Sequence, residues 1–246
     1  MAKVRADLLL VVRGLAESRG KAQAAIAAGG VTADGRAVAK AAELLDDDCD
    51  LRAEAAHPYV GRGALKLLHA LQLWPVAVEG RTVLDVGAST GGFTQVCLEH
   101  GASRVYAVDV GRGQLHPKLA ADPRVVVLEG VDARSLTAKL IPQPPELVVC
   151  DASFIGLAKV LPAALALAAP DADLVALVKP QFEVGPGLVG KGGLVRDAQA
   201  RAQALADVAR FLTASDWWVL ATADSPIQGG NGNREYLLHA RKSRPA

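Results

Sequence analysis

Four charged residues stand at positions from which they could move a proton. Asp151 and Lys179 each directly follow an apolar run that is typical of a buried strand, Glu235 opens the last strand-like segment, and Lys66 lies in a helical segment before the sheet. A lysine can act as a base, or orient a hydroxyl, when burial or neighbouring cations lower the pKa of its ammonium group. For Lys179 the simpler alternative is a salt bridge to Asp151 or Glu183. For Lys66 it is a solvated helix lysine.

The most specific motif is rich in glycine and joins a predicted strand to a predicted helix. Glycine lets the backbone approach a ligand closely, and the amides that begin a helix suit an anionic or strongly polar group. A second acid, Asp109, ends the next predicted strand, where a carboxylate often accepts hydrogen bonds from ribose hydroxyls. We therefore expect a nucleotide-type cofactor site built from Asp85, Gly87, Ala88, Ser89, Thr90, Gly91, Gly92, Phe93 and Asp109.

Two classes of cofactor compete for this motif. A dinucleotide fingerprint requires Gly-x-Gly-x-x-Gly, and Ser89 stands where the second glycine belongs, so a pyrophosphate would be crowded. An acid two residues before the first glycine, Asp85, instead resembles class I methyltransferases, in which it lies near the methionine end of S-adenosyl-L-methionine. By the same resemblance Asp132 and Ala133 would flank the adenine. For Asp132 a helix N-cap is the alternative.

The elements that must position these residues alternate from about residue 80 onward. Helices are predicted after the glycine-rich turn as far as Glu99, across 157–169, and over Asp197–Ala214. This alternation predicts an α/β fold with a parallel, doubly wound sheet and ligand sites at the carboxyl ends of its strands. The last two strands have no helix between them and predict an antiparallel edge. Predicted strands cover Arg81–Val86, Arg104–Val108, Val125–Leu128, Leu147–Cys150, Leu174–Val178, Trp217–Ala223 and Arg234–Ala240.

The first 54 residues have the character of a separate unit. Residues 1–42 carry seven Lys/Arg against three Asp/Glu, and residues 43–54 carry six acids against one Arg. The sequence predicts helices over 7–13 and 19–28, the second capped by Ser18, and a hairpin over 31–38 that turns at Asp34-Gly35. Two helices and a hairpin bury little apolar surface, so we expect this unit to rest on a partner surface.

Composition excludes several functional classes. The net charge is +1, so any surface for a polyanion must come from locally segregated charge. Cys49, Cys97 and Cys150 lie far apart, which favours a reducing compartment, and no Cys/His spacing predicts a metal site. No apolar run reaches the ~18–20 residues that span a bilayer, and the N-terminus has no signal-peptide pattern. We expect a cytoplasmic protein without a membrane partner; the sequence sets no oligomeric state.

The order helix, helix, hairpin, with basic residues on the second helix, resembles the small RNA-binding domain of ribosomal protein S-four. The resemblance implies that basic side chains form a phosphate-facing surface, which would position RNA without reading much of its sequence. An ordinary basic helix pair with solvated charges is the alternative. The basic residues in question are Arg5, Arg13, Arg19 and Lys21.

The remaining sequence resembles FtsJ-type RNA 2′-O-methyltransferases. Those enzymes carry a Lys-Asp-Lys-Glu tetrad, which is matched here by Lys66, Asp151, Lys179 and Glu235. More narrowly, the chain is similar from about Arg5 to Arg241 to the TlyA/hemolysin A family of rRNA cytidine 2′-O-methyltransferases. The phrases that carry this similarity are Asp85–Phe93, Val105–Gly111, Gly113–Leu115, Asp151–Ile155, Lys179–Glu183 and Gly229–Asn233. Gly61–Ala64 departs from the more usual Ser-Arg-Gly-Gly, and Asp132 stands where Asn is common.

The resemblance implies a domain order, a fold and a partner. Residues 3–60 would be the RNA-binding domain and linker, and 61–246 the methyltransferase domain with a class I, Rossmann-like sheet. The cofactor would be S-adenosyl-L-methionine and the partner ribosomal RNA or a ribosomal subunit. The short ends of the chain favour a large-subunit cytidine over a small-subunit one. Lys179 would contact the 2′-hydroxyl and assist its deprotonation, held by the other three tetrad members.

Rival functions are weaker on the same residues. Base N-methyltransferases usually carry a Pro-Pro-aromatic step after the fourth strand, which Asp151–Phe154 lacks. Methylation of a cytosine carbon needs a nucleophilic cysteine, typically after proline, whereas Cys150 follows Val149. A non-catalytic RNA-binding module would predict a degraded donor loop or missing lysines. Membrane lysis would require a spanning segment or a cationic amphipathic helix, and the sequence predicts neither.

Overall fold

The computed structural model describes residues 2–229 and 232–243 and divides into two compact units. The first unit ends at Tyr59 and the second begins at Val60. Gly230 and Asn231, which belong to one of the family-like phrases, lie outside the described residues.

The first unit combines two helices with five short strands. β1 pairs with β4, and β2 pairs with both β3 and β5, all antiparallel. The second helix begins at Ser18, whose hydroxyl accepts a hydrogen bond from the Lys21 amide, as the sequence predicts. The elements are β1 (Lys3–Arg5), α1 (Ala6–Val12), α2 (Arg19–Ala27), β2 (Val31–Ala33), β3 (Arg36–Ala37), β4 (Leu44–Asp46) and β5 (Leu51–Ala53).

The expectation that this unit buries little apolar surface is wrong. Leu9 and Leu10 of α1 and Ile26 of α2 lie in one buried cluster with Val31 and Leu51 from the strands. Three strands that the sequence patterns did not predict, β1, β4 and β5, supply part of the apolar surface that the two helices and the hairpin lack. The unit therefore has its own hydrophobic core.

The second unit consists of seven strands and the helices that connect them. Its strands are β6 (Thr82–Val86), β7 (Arg104–Asp109), β8 (Val125–Glu129), β9 (Leu147–Cys150), β10 (Asp173–Val178), β11 (Trp218–Asp224) and β12 (Tyr236–Arg241). Its α-helices are α3 (Ala64–Leu73), α4 (Gly92–Glu99), α5 (Pro117–Ala120), α6 (Leu157–Val160), α7 (Pro162–Leu167), α8 (Pro180–Glu183) and α9 (Ala198–Ala214). Short 3₁₀ helices cover Ala133–Ser135, Pro186–Leu188 and Lys191–Gly193.

The seven strands form one sheet in the order β11-β12-β10-β9-β6-β7-β8. The five strands from β10 to β8 are parallel, whereas β12 runs antiparallel to both β10 and β11. The central strands β6, β9 and β10 are buried along their whole length, as expected for apolar runs in a sheet covered on both faces. The predicted doubly wound, Rossmann-like sheet with an antiparallel edge is confirmed.

The helix predicted across 157–169 is instead two short helices, α6 and α7. The break falls at Leu161, which follows the last residue of α6 and precedes the first residue of α7, Pro162. Proline has no amide hydrogen to donate, and its fixed φ suits the first position of a helix. The apolar residues on both sides of the break still join the core of the second unit.

Candidate active site

The four predicted tetrad residues lie together at the carboxyl end of the parallel strands. Asp151 follows β9 and Lys179 follows β10, so their shared edge follows from the parallel order. Glu235 reaches the same edge because β12 is antiparallel: Tyr236, its first residue, pairs with Val178, the last residue of β10. The start of one strand therefore lies beside the end of the other.

Lys179 is buried and surrounded by oxygen atoms. Its Nζ lies 2.6 Å from the Asp151 Oδ1 in an ion pair, and it donates hydrogen bonds to the Asp151 carbonyl at 3.0 Å and to the Ser153 Oγ at 2.8 Å. The simpler prediction for this lysine, a salt bridge to Asp151, is therefore part of the arrangement. Glu183, the other predicted partner, accepts from the Leu157 amide, and burial raises the pKa of its carboxyl.

Lys66 completes the cluster from α3. Its Nζ donates to the Glu235 Oε2 at 2.5 Å and lies 3.9 Å from the Asp151 Oδ1. Both Lys66 and Glu235 are buried. Gly229 leaves room for this carboxylate, because a Cβ atom there would lie 2.3 Å from the Glu235 Oε1. Two lysines and two carboxylates thus form one nearly neutral chain in the order Glu235, Lys66, Asp151, Lys179.

Two cavities meet at this cluster. One, of about 500 Å³, is lined by the four tetrad side chains and by Arg62, Phe182 and the backbone near Gly193. The other, of about 560 Å³, lies over the ends of β6, β7 and β9. Asp151, Ser153 and Phe154 line both cavities. A ligand in the second cavity would therefore touch the residues that border the tetrad.

The second cavity contains part of the predicted cofactor site. Its lining includes Gly87, Ser89, Asp109, Asp132 and Ala133. Gly87 has φ +83°, and a Cβ atom there would lie 2.9 Å from the Ala152 Cα, so only glycine fits this turn. The other predicted residues lie below or beside the cavity rather than on its wall: Asp85, Ala88, Thr90, Gly91, Gly92 and Phe93.

Asp85 is fully buried beneath the glycine-rich turn. Its Oδ2 accepts a hydrogen bond from the Thr94 hydroxyl at 2.7 Å, whereas its Oδ1 is buried without a hydrogen-bond partner among the described residues. Burial raises the pKa of this carboxyl to about 7, and the nearby Asp151 adds to the rise. An unsatisfied buried carboxylate oxygen costs free energy that a cationic ligand group would recover.

Asp109 is held in place by backbone amides from two loops. The Ser89 amide donates to its Oδ2 at 2.8 Å, and the Gly111 amide donates to its Oδ1 at 2.7 Å. Each oxygen keeps a further lone pair for a ligand hydroxyl. The carboxylate thus faces the cavity in a fixed orientation, as a ribose-binding acid would have to.

Asp132 caps the 3₁₀ helix Ala133–Ser135. It accepts from the Arg134 amide at 2.9 Å and forms an ion pair with the Arg134 guanidinium, whose hydrogen bonds lower the pKa of the carboxyl. The N-cap alternative for Asp132 is therefore correct, and the residue also lines the cavity.

Sequence reasoning missed three residues at the site. Ser153 contacts Lys179, and Phe154 is 91% exposed with φ +67°, an uncommon conformation for a residue with a side chain. Glu129 accepts hydrogen bonds from the amides of Gly113, Gln114 and Leu115, the loop beside the second cavity. Ser153 and Phe154 directly follow Asp151, so their position after the fourth strand was the available signal.

Two of the predicted phosphate-facing arginines meet at one buried acid in the first unit. Arg5 donates two hydrogen bonds to Asp7 at 3.0 Å each, and Arg19 donates one at 3.1 Å. Gln23 donates another at 2.9 Å. These hydrogen bonds, chiefly those from Arg5, hold the pKa of Asp7 well below its usual range. Arg5 and Arg19 form one fixed pair.

The other two basic residues have separate partners. Arg13 donates to the carbonyl oxygens of Cys49, at 2.5 Å, and Asp47. Lys21 forms an ion pair at 3.1 Å with Glu17, which lies four residues earlier, just before α2. These contacts make Arg13 a brace for the turn that follows β4, in addition to any contact with a ligand.

Within residues 2–229 and 232–243, no cluster of His, Cys, Asp or Glu is arranged to hold a metal ion. The three cysteines are buried free thiols. Among the same residues no helix has both the length and the apolar character needed to cross a membrane.

Comparison with known proteins gives a consistent result. Residues 59–242 match the model of the FtsJ-like methyltransferase family. The 16S/23S rRNA (cytidine-2′-O)-methyltransferase TlyA of Mycobacterium tuberculosis is 49% identical over 97% of this chain and 90% of its own length. The 23S rRNA (cytidine-2′-O)-methyltransferase TlyA of Campylobacter jejuni is 36% identical over 75% of this chain and 72% of its own.

Solved structures extend the likeness to the fold of the whole chain. A Streptococcus thermophilus protein described as a candidate hemolysin superposes with a TM-score of 0.78. It is 40% identical, and the match covers 99% of this chain and 90% of the other.

Proposed function

The chain belongs to the FtsJ-like methyltransferase family and, within it, to the TlyA/hemolysin A group, and from this premise we propose that it methylates a cytidine ribose 2′-hydroxyl of ribosomal RNA. The observation that carries the proposal is the convergence of Lys66, Asp151, Lys179 and Glu235 beside a second cavity that shares Asp151 with them. The side chains that would accept the proton and the cavity that would hold the methyl donor then lie on opposite sides of one shared wall.

The second cavity fits S-adenosyl-L-methionine, which supplies a methyl group carried on a positively charged sulfur. Asp85 lies beneath the glycine-rich turn, and its buried Oδ1 would accept from the ammonium group of the methionine end through a bridging water. Asp109 offers its free lone pairs to the ribose hydroxyls. Asp132 and Ala133 would flank the adenine, and the glycine-rich turn from Gly87 leaves room for the chain between them.

The tetrad prepares the hydroxyl for reaction. A ribose 2′-hydroxyl is a poor acid, so its proton needs an acceptor as the new bond to carbon forms. Lys179 is that acceptor in our proposal, held by Asp151. Lys66 and Glu235, both buried, balance the charge of this pair in surroundings where electrostatic interactions are stronger than in water. The role of Lys66 and Glu235 is to position Lys179 and to neutralise the charge of the pair that it forms with Asp151.

The substrate side of the site suits an unstacked nucleotide. Phe154 presents an exposed ring at the rim of both cavities, and single-stranded bases commonly stack on aromatic side chains. The first unit would add affinity through Arg5, Arg13, Arg19 and Lys21. We favour a large-subunit cytidine, the substrate that both relatives share by name, with a small-subunit cytidine as the second candidate. Ribosomal RNA as substrate places the protein in the cytoplasm.

The test is transfer of labelled methyl from S-adenosyl-L-methionine to isolated ribosomal subunits. The wild type should label RNA at one ribose that then resists alkaline cleavage. Lys179→Ala should lose at least about 100-fold in rate, the usual loss for a general base, with donor binding intact. Lys159→Ala, which removes an exposed lysine of α6, is the matched control and should keep the wild-type rate. Label on a base would overturn the proposal.

A further inference from the structure

We propose that Ser153 is a further catalytic residue that passes the proton of the 2′-hydroxyl to Lys179. The inference rests on the proposed function and adds a step to it. Its basis is the position of the serine hydroxyl, which lies 2.8 Å from the Lys179 Nζ and at the junction of the two cavities.

The oxygen atoms around Lys179 leave one direction for proton delivery. Three oxygens lie within 3.0 Å of Nζ: the Asp151 Oδ1, the Asp151 carbonyl and the Ser153 Oγ. A neutral lysine has two N–H groups and one lone pair. Neither Asp151 oxygen can donate to that lone pair: the carbonyl accepts a hydrogen bond from Nζ, and the ionised carboxylate lies 2.6 Å away in an ion pair. Of the three neighbours, the Ser153 hydroxyl can donate. The hydrogen bond that Lys179 donates to Ser153 would therefore reverse when the lysine is neutral, and the lone pair would then accept from the serine hydroxyl.

Lys179 is more deeply buried than Ser153 and is therefore less accessible from the substrate side of the site. Lys179 is 6% exposed, whereas Ser153 is exposed. A 2′-hydroxyl that enters the site between the two cavities would therefore meet the serine oxygen before the lysine nitrogen. The chain at this point is also strained, because the next residue, Phe154, has φ +67°. Strain of this kind is retained mainly where function requires it.

The step balances as a double proton transfer. The bond between the 2′-oxygen and its hydrogen breaks while a hydrogen bonds to the Ser153 Oγ, and the original Oγ–H bond breaks while that hydrogen bonds to the Lys179 Nζ. The electron pair left on the 2′-oxygen forms the new bond to the transferred methyl carbon, while the bond between that carbon and the donor sulfur breaks and its electron pair stays on the sulfur, which becomes a neutral thioether. Serine ends unchanged and neutral, and lysine ends as an ammonium ion beside Asp151.

Single-turnover rates of ribose methylation, measured with the full chain at saturating donor and RNA, test this role. Ser153→Ala should lower the rate at least about tenfold, because the relay loses its middle member, while the Kd values for donor and RNA stay within about twofold. Ser153→Thr, which keeps a hydroxyl, should restore most of the rate. The matched control is Ser103→Ala at the opposite edge of the sheet, which should behave as wild type.

A double-variant cycle separates a relay from an independent effect. If Ser153 acts through Lys179, then Ser153→Ala added to Lys179→Ala should cause little further loss. The relay would be overturned if the rate losses of the two single variants multiplied in the double variant, or if Ser153→Ala alone kept the wild-type rate. In either case, ribose methylation by the wild type would still support the proposed function. A wild type that labels no ribose would overturn both.

Discussion

Lys66 and Glu235 are 169 positions apart in sequence, yet the Lys66 Nζ donates a hydrogen bond of 2.5 Å to the Glu235 Oε2 inside the second unit. Both side chains are more than nine-tenths buried. The pair joins α3, before the sheet, to β12, its last strand. A buried pair of this kind has a large desolvation cost that its mutual attraction offsets only while both members are present.

Removing one member of this pair should therefore destabilise the protein strongly. We expect Glu235→Ala to lower the free energy of unfolding by about 3–5 kcal/mol, because Lys66 loses its hydrogen-bonded partner and keeps only Asp151, 3.9 Å away, to balance its buried charge. The double replacement Lys66→Met with Glu235→Leu should lose less than Glu235→Ala alone. Chemical denaturation followed by circular dichroism measures both.

An exposed ion pair of the same unit provides the control. Asp207→Ala, which breaks the surface pair with Arg210 on α9, should leave the free energy of unfolding nearly unchanged. If Glu235→Ala cost no more than this control, the pair would not be buried as described.

Asp85 should make stability depend on pH between about 4 and 7. Its folded-state pKa is about 7, against an ordinary value of 3.8, so within this window the folded protein keeps a proton that the unfolded chain has lost. The contribution of Asp85 is therefore largest at low pH and falls as the pH rises through 7. Asp85→Asn should remove this fall, so its Tm should drop less than that of the wild type between pH 5 and pH 8.

The exposed Asp171→Asn is the matched control for this measurement and should keep the wild-type pH dependence. Equal losses of Tm in wild type and Asp85→Asn would show that Asp85 titrates as an ordinary surface acid. Titration calorimetry with S-adenosyl-L-methionine adds an independent readout. If Asp85 binds the ammonium group, donor affinity should rise from pH 6 to pH 8 in the wild type and change less in the variant.

The sheet and half of the tetrad could be predicted from local patterns. The runs Leu147–Cys150 and Leu174–Val178 are continuous and apolar, as strands buried on both faces must be, and each ends at a charged residue. Parallel strands bring such ends to one edge, so the meeting of Asp151 and Lys179 follows from pattern and topology together.

The other half of the tetrad required information that patterns do not contain. Glu235 reaches the edge because β12 enters the sheet antiparallel beside β10, and strand order is not written in any local segment. Lys66 looks like a surface lysine of a helix in the sequence, whereas in the structure it is buried against Glu235. Their place in the chain made both residues candidates, and the family resemblance joined them to Asp151 and Lys179.

Short strands and local strain also lay outside sequence reasoning. β1, β4 and β5 have three residues each, too few to show an alternating pattern, and their pairing depends on contacts distant in sequence. The positive φ of Phe154 is equally hidden, because it is imposed on a residue type that rarely adopts it.

Asp7 should strengthen RNA binding although it is an acid. It fixes Arg5 and Arg19 through three hydrogen bonds, so both guanidinium groups are already ordered before they meet a phosphate. We expect Asp7→Asn to weaken binding to ribosomal RNA several-fold at constant salt, even though removal of a negative charge alone would strengthen it. Filter binding or fluorescence anisotropy over a salt series measures the effect.

The control variant removes an acid that orders neither Arg5 nor Arg19. Asp50→Asn, at an exposed pair with Arg52 in the same unit, should leave RNA affinity unchanged or slightly raised. A gain in affinity for Asp7→Asn of the same size would mean that Asp7 acts only through its charge. Circular dichroism of both variants separates loss of binding from loss of fold.

Phe154 should contribute to RNA binding through its exposed ring. The ring lies 5.3 Å, between centroids, from that of Phe182 and is 91% exposed at the rim of both cavities, so one face is supported while the rest is open to a base. Stacking of a base on an aromatic side chain contributes about 1–3 kcal/mol. We expect Phe154→Ala to weaken RNA binding roughly 5- to 100-fold and Phe154→Trp to retain it. Leu220→Ala, an exposed apolar control in β11, should leave RNA binding unchanged. Equal binding by all three variants would exclude stacking on Phe154.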